Sequence, residues 1–111
     1  MGSVEDALEI AELASALRRL VAAVEDKFGP KLSLPVDYYW NVPSEAAFDL
    51  DNAPQLDVGQ VSDDLRSTRT LAQARSTEQM SIWHECEHIA GVLRAIAFMD
   101  RPTASPHSQV S

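Results

Sequence analysis

The residues best suited to chemistry form one run near the C-terminal end of the chain, His84-Glu85-Cys86-Glu87-His88. Two histidines four residues apart lie one above the other on a helix, so both imidazoles can reach one metal ion. In zinc hydrolases with this spacing, the glutamate after the first histidine acts as general base on metal-bound water. The run therefore raises one sharp hypothesis, a minimal zinc-dependent hydrolase with His84 and His88 as ligands and Glu85 as base.

The ligand count argues against that hydrolase. Catalytic zinc needs three protein ligands and an open position, and only Asp100 and His107 follow His88 as candidates. Asp100 lies about 18 Å further along the axis if the helix continues, and His107 lies in a polar, proline-broken tail. A third ligand from upstream, for which Asp63 and Asp64 are the candidates, would reverse the usual order.

The direction of the two histidines also argues against catalysis. They fall opposite an apolar stripe that predicts the buried face of the last helix, namely Ile82, Cys86, Ile89, Leu93 and Ile96. Histidines on the other face would lack the wall that encloses a catalytic metal. We therefore predict no catalytic residue, no metal ligand and no cofactor, and keep zinc with Glu85, His84 and His88 as the alternative.

Acidic residues supply the second candidate surface. The net charge is −8, and no lysine or arginine occurs between Lys31 and Arg66. Such a surface repels nucleic acid and attracts a basic protein or a cation, whereas the plainer interpretation is a set of solvated loop acids. We predict a non-catalytic accessory or interaction domain, similar to inhibitor or immunity proteins in binding a basic partner, and a homodimer stays open. The predicted contact residues are Tyr39, Asp49, Asp51, Asp63 and Asp64.

The elements that must position these residues predict an α+β fold. Helical periodicity covers residues 4–28, 59–74 and 76–99, and Gly29-Pro30 ends the first helix. Alternation over residues 36–42 predicts a strand whose face with Trp40 is apolar and whose opposite face exposes Tyr39. Residues 46–50 are the predicted return strand and residues 56–58 a short third strand. We expect both long helices to pack on this small antiparallel sheet, in one domain over residues 1–100 with a disordered tail over 101–111.

Three short runs resemble those of a group of small actinobacterial proteins: residues 37–43, 58–64 and 92–96, or DYYWNVP, VGQVSDD and VLRAI. The resemblance covers roughly residues 34–98 and implies no particular activity.

The cellular compartment is predicted from other features of the sequence. No apolar run approaches the length of a membrane span, acids occupy the N-terminus, and the single Cys86 fits a reducing compartment. We therefore expect a cytoplasmic protein without a membrane partner.

Overall fold

The computed structural model describes residues 7–102 and confirms the α+β class. Its elements in chain order are α1 (Ile10–Phe28), β1 (Tyr38–Asn41), α2 (Ser44–Ala47), β2 (Asp57–Gln60), α3 (Val61–Ala72) and α4 (Ile82–Asp100). The chain divides into two compact units between Ser33 and Leu34, so α1 belongs to the first unit and every later element to the second. The single domain over residues 1–100 stays a prediction, and most of the predicted tail lies outside the described residues.

Helix α1 ends at the residue that the sequence predicts, but it begins several residues after the predicted start. Gly29 has a φ of 87°, a conformation that glycine adopts without steric cost, and its amide donates to the carbonyl of Glu25 at 2.8 Å. The helix therefore stops at Phe28. It begins at Ile10 rather than Val4, and the first residues of the predicted helix lie outside the described part. None of the residues of α1 is buried.

Within residues 7–102 the sheet has two antiparallel strands, where the sequence predicted a hairpin or a three-stranded sheet. Strand β1 pairs with β2 from Tyr38 opposite Gln60 to Asn41 opposite Asp57, so the predicted third strand is the partner of the first. The predicted return strand was wrong because residues 44–47 form the single turn of α2. That segment, Ser-Glu-Ala-Ala, consists mainly of good helix formers and follows a proline, which suits a helix start.

The two faces of β1 are the reverse of the prediction. Tyr38 and Trp40 are 69% and 70% exposed, whereas Tyr39 turns inward and is half-buried. Tyr39 lies opposite Gly59 in the register, and a Cβ on Gly59 would overlap the Tyr39 ring. Because glycine leaves that space empty, the ring can lie across β2 and extend toward the helices.

Helices α3 and α4 pack against each other through small residues. The buried apolar residues in the described part are Val61, which begins α3, and Ala95 on α4, and Gly91 is buried one turn before Ala95. The predicted stripe of α4 is only partly covered, since Ile82 is 68% exposed and Cys86 is exposed, whereas Ile89, Leu93 and Ile96 are half-buried. His88, Gly91 and Ala95 follow one another at steps of three and four, so the packed face of α4 is the one that carries His88.

Candidate functional site

Three elements of the second unit meet at the carboxylate of Asp64. The Tyr39 hydroxyl of β1 donates to Oδ2 at 2.5 Å, and Nδ1 of His88 on α4 lies 2.8 Å from Oδ1. Asp64, in the first turn of α3, is 4% exposed. Each carboxylate oxygen thus has its own partner, which offsets the cost of burying the charge. We call these three side chains the Tyr39–Asp64–His88 network.

The network fixes which nitrogen of His88 carries the proton. An ionised carboxylate only accepts hydrogen bonds, so the nitrogen that faces Asp64 must be Nδ1–H. In the neutral ring, Nε2 then carries the lone pair and can act as a base or a ligand. Burial, followed by the hydrogen bond to Asp64 and the charge of that carboxylate, raises the pKa of Tyr39 above its ordinary value. Its hydroxyl therefore remains a donor well above neutral pH.

Gly91 provides the space that the network occupies. A Cβ at this position would overlap the Asp64 carboxylate and the Tyr39 hydroxyl. The helix interior normally favours alanine over glycine. A glycine at this point therefore reflects the close approach of α3 and β1 to α4.

Both histidines line one cavity, of about 350 Å³. Residues of β2 and α3 form other parts of its wall, and Trp83 also lines it. The His84 and His88 ring centroids are 4.7 Å apart in an edge-to-face arrangement, and the Trp83 ring lies 5.2 Å from that of His84. The expectation that these imidazoles lack an enclosing wall was therefore wrong. It failed because the face of α4 that carries His88 and Gly91 lies against Asp64 of α3 and Tyr39 of β1.

Carboxylates predominate among the charged groups of this cavity, and one of them, Asp63, is paired with Arg66. Five carboxylate side chains line it and no lysine or arginine does; the five are Glu45, Asp57, Asp63, Asp64 and Glu87. Clefts lined by one charge and walled by protein concentrate the electrostatic potential. The cavity therefore favours cationic groups and disfavours phosphates and carboxylates. We call it the acidic cavity.

The predicted contact residues do not form one surface. Asp63 lines the acidic cavity, is 49% exposed and pairs with Arg66 at 2.8 Å. Asp64 is 4% exposed and its carboxylate accepts the Tyr39 hydroxyl, so neither group lies on an open surface; their role in partner contact stays a prediction. Asp49 and Asp51 line a different hollow, in the 46–54 segment. There the Asp49 carboxylate accepts the Asp51 amide at 3.2 Å, which stabilises the loop.

Glu85 does not occupy the position that zinc hydrolysis requires. Its Oε1 accepts the Ser67 hydroxyl of α3 at 3.3 Å, and it does not line the acidic cavity. Glu87 lines the cavity instead and accepts the Ser44 amide at 3.1 Å. Across residues 7–102, no three His, Cys, Asp or Glu side chains are grouped to hold a metal ion. The hydrolase alternative with Glu85 as base therefore does not fit the arrangement of side chains.

The raised pKa of Tyr39 predicts a loss of stability at high pH. The protonated hydroxyl stabilises the fold, so its contribution is complete below the ordinary pKa of 10.0 and is lost as pH rises through the raised value. We expect the free energy of unfolding to fall above pH 10, by at most about 1.4 kcal/mol per pH unit from this group. Urea unfolding between pH 8 and pH 11 measures this fall in the free energy of unfolding.

Tyr39→Phe should lower the free energy of unfolding at pH 8 by about 2 kcal/mol and reduce its dependence on pH. Tyr38→Phe is the matched control, and an equal flattening there would contradict the assignment.

Comparison with known proteins leaves the chain without a match among family models, curated proteins or solved structures. The similarity to small actinobacterial proteins stays a prediction. Within residues 7–102 no helix is both long and apolar enough to cross a membrane.

Proposed function

We propose that this chain is a small non-catalytic interaction domain whose acidic cavity receives basic side chains of a protein partner. The observation that carries the proposal is the set of five carboxylate side chains that line the cavity without a lysine or arginine. A cationic side chain that enters gains the attraction of these groups while the protein walls exclude part of the screening solvent. We expect lysine and arginine side chains of the partner to enter the acidic cavity.

An exposed aromatic ring adds a second attraction for a cation. Trp83 lines the cavity and is largely exposed, so the face of its indole is available to an ammonium or guanidinium group. Tryptophan is the best of the aromatic side chains for this contact. Trp83 also sits beside His84, and bound cations are thus expected to alter the indole fluorescence.

The charge of the whole chain supports the same class of partner. At a net charge of −8, the protein attracts a basic partner over distances of about one Debye length, and this attraction weakens as salt is added. The cavity then supplies the local contact. Because a lone exposed thiol such as Cys86 persists where disulfides are reduced, the proposal places the encounter in the cytosol.

A basic peptide and two charge-matched variants test the proposal. We expect an octa-lysine peptide to bind with an affinity that falls between 50 mM and 300 mM salt, and Glu45→Gln/Asp57→Asn to weaken binding about fivefold. Asp51→Asn/Glu78→Gln removes the same charge, from −8 to −6, at acids that do not line the cavity. This control should weaken binding less than about twofold.

Isothermal titration calorimetry at several salt concentrations provides the comparison, with octa-glutamate as the negative control peptide. Equal losses in the two double variants would show that only net charge matters and would contradict a role for the cavity. Binding that does not change with salt would contradict the electrostatic basis altogether.

A further inference from the structure

We infer that His84 and His88 form a chelating pair for a divalent transition-metal ion at the wall of the acidic cavity. The inference does not depend on the basic partner proposed above, because the metal ligands are two imidazoles and the test uses the metal ion alone. It differs from zinc hydrolysis as well, since Glu85 bonds to Ser67 and supplies no base. The inferred property is metal binding through two protein ligands.

The first step in the argument is the orientation of His88. Its Nδ1 is held by the buried Asp64 carboxylate, so Nε2 is the ring nitrogen left for a ligand. Metal-binding histidines almost always donate their other ring N–H to a carboxylate, a backbone carbonyl or water, which fixes the ring and raises its basicity. Tyr39 in turn fixes Asp64 through the second oxygen. His88 therefore has the outer support that a metal ligand needs before any metal is bound.

The second step is the placement of His84. It lies one helical turn before His88, lines the same cavity and has its ring centroid 4.7 Å from that of His88. Zinc–nitrogen bonds of 2.0–2.1 Å require two ligand nitrogens of one ion to lie within about 4.2 Å of each other. We expect the exposed His84 side chain to supply the rotation that brings the two nitrogens within this distance, because His88 is held by its bond to Asp64.

The third step concerns the kind of metal. Imidazole nitrogen suits Zn²⁺, Ni²⁺ and Cu²⁺, whereas Mg²⁺ prefers oxygen ligands and retains its waters. The surrounding carboxylates lower the electrostatic cost of bringing a divalent cation into the cavity. Since no three His, Cys, Asp or Glu side chains in residues 7–102 are arranged to hold a metal ion, water would complete the coordination. Two ligands predict an exchangeable ion rather than a permanently held one.

Titration of the metal-free full chain with Zn²⁺ or Ni²⁺ alone tests the inference. We expect one saturable ion per chain by calorimetry and perturbation of the His84 and His88 ring resonances by NMR. His84→Ala should weaken binding at least tenfold without loss of the fold, because that side chain is exposed. His107→Ala removes the third histidine of the chain and should leave the affinity unchanged.

Three results would overturn the metal site. They are the absence of saturable binding, equal affinity in the wild-type and His84→Ala chains, and displacement of the ion by a tenfold excess of Mg²⁺, which would assign it to the carboxylates. His84→Ala retains every acid of the cavity, so it should bind octa-lysine as the wild type does. Failure of the metal site and failure of the partner proposal are therefore separate outcomes.

Discussion

Replacement of Asp64 by alanine is expected to destabilise the protein by about 3 kcal/mol. The substitution removes the acceptor of both the Tyr39 hydroxyl and His88 Nδ1 and leaves these half-buried donors without a partner. It also leaves a void at the meeting point of β1, α3 and α4. Few apolar side chains are fully buried in the described part, so we expect loss of the network to be felt strongly. Urea unfolding followed by circular dichroism measures the loss.

Asp63→Ala is the matched control for that experiment. It removes the same chemical group one residue earlier, but Asp63 is half-exposed and its ion pair with Arg66 is solvated. Exposed ion pairs of this kind contribute little to the free energy of unfolding, and the lost interaction with the helix dipole adds a few tenths of a kcal/mol. We therefore expect Asp63→Ala to destabilise the protein by less than about 1 kcal/mol. If the two alanine variants unfolded at the same urea concentration, the buried carboxylate would not have the structural role assigned to it.

Gly91→Ala is expected to destabilise the protein by about 2 kcal/mol, although the helix propensity of alanine would stabilise α4 by up to about 1 kcal/mol. The sign of the effect is therefore informative. A new Cβ overlaps the Asp64 carboxylate and the Tyr39 hydroxyl, so these groups must shift, and we expect the hydrogen bond between them to weaken. Thermal and urea unfolding both report the change.

Ala90→Gly provides the control for backbone propensity. Ala90 is the preceding residue of α4 and is exposed, so the reverse substitution costs only the intrinsic preference, about 1 kcal/mol. A Gly91→Ala chain more stable than the wild type would mean that α4 stands further from α3 than the structure shows. Loss of the His88 contact to Asp64 in the variant, seen in the ring resonances, would link the destabilisation to the network.

The sequence predicted the helices better than the sheet. The end of α1 at Gly29 and most of α3 and α4 follow from local signals, namely a glycine–proline stop and helical periodicity. Local sequence could not predict which segment pairs with β1, because residues 46–50 and 56–58 are both compatible with a strand. Helix propensity in residues 44–47 excluded the nearer segment. The face of β1 was likewise decided by Gly59, a residue that is distant in sequence.

The candidate site was visible in the sequence only as separate residues. The sequence contains Tyr39, Asp64 and His88 as separate candidates, for partner contact or for metal binding. Asp64 lies 24 or 25 positions from the other two, and no spacing rule connects residues that far apart. The apolar stripe of α4 did not predict that the face with His88 is packed, because small residues on that face let a neighbouring helix come closer. Gly91 and Ala95, four residues apart beside His88, were the one local signal of that face.

The tautomer of His88 tests the central claim most directly, because it reports whether Asp64 holds the ring. Long-range ¹H–¹⁵N NMR spectra of the neutral imidazole should show a protonated Nδ1 and an unprotonated Nε2 for His88. His107, which lies outside the described part of the chain, serves as the reference ring in the same spectra. A neutral His88 with its proton on Nε2 would mean that Nδ1 does not donate to Asp64, and it would contradict the network and the metal site together.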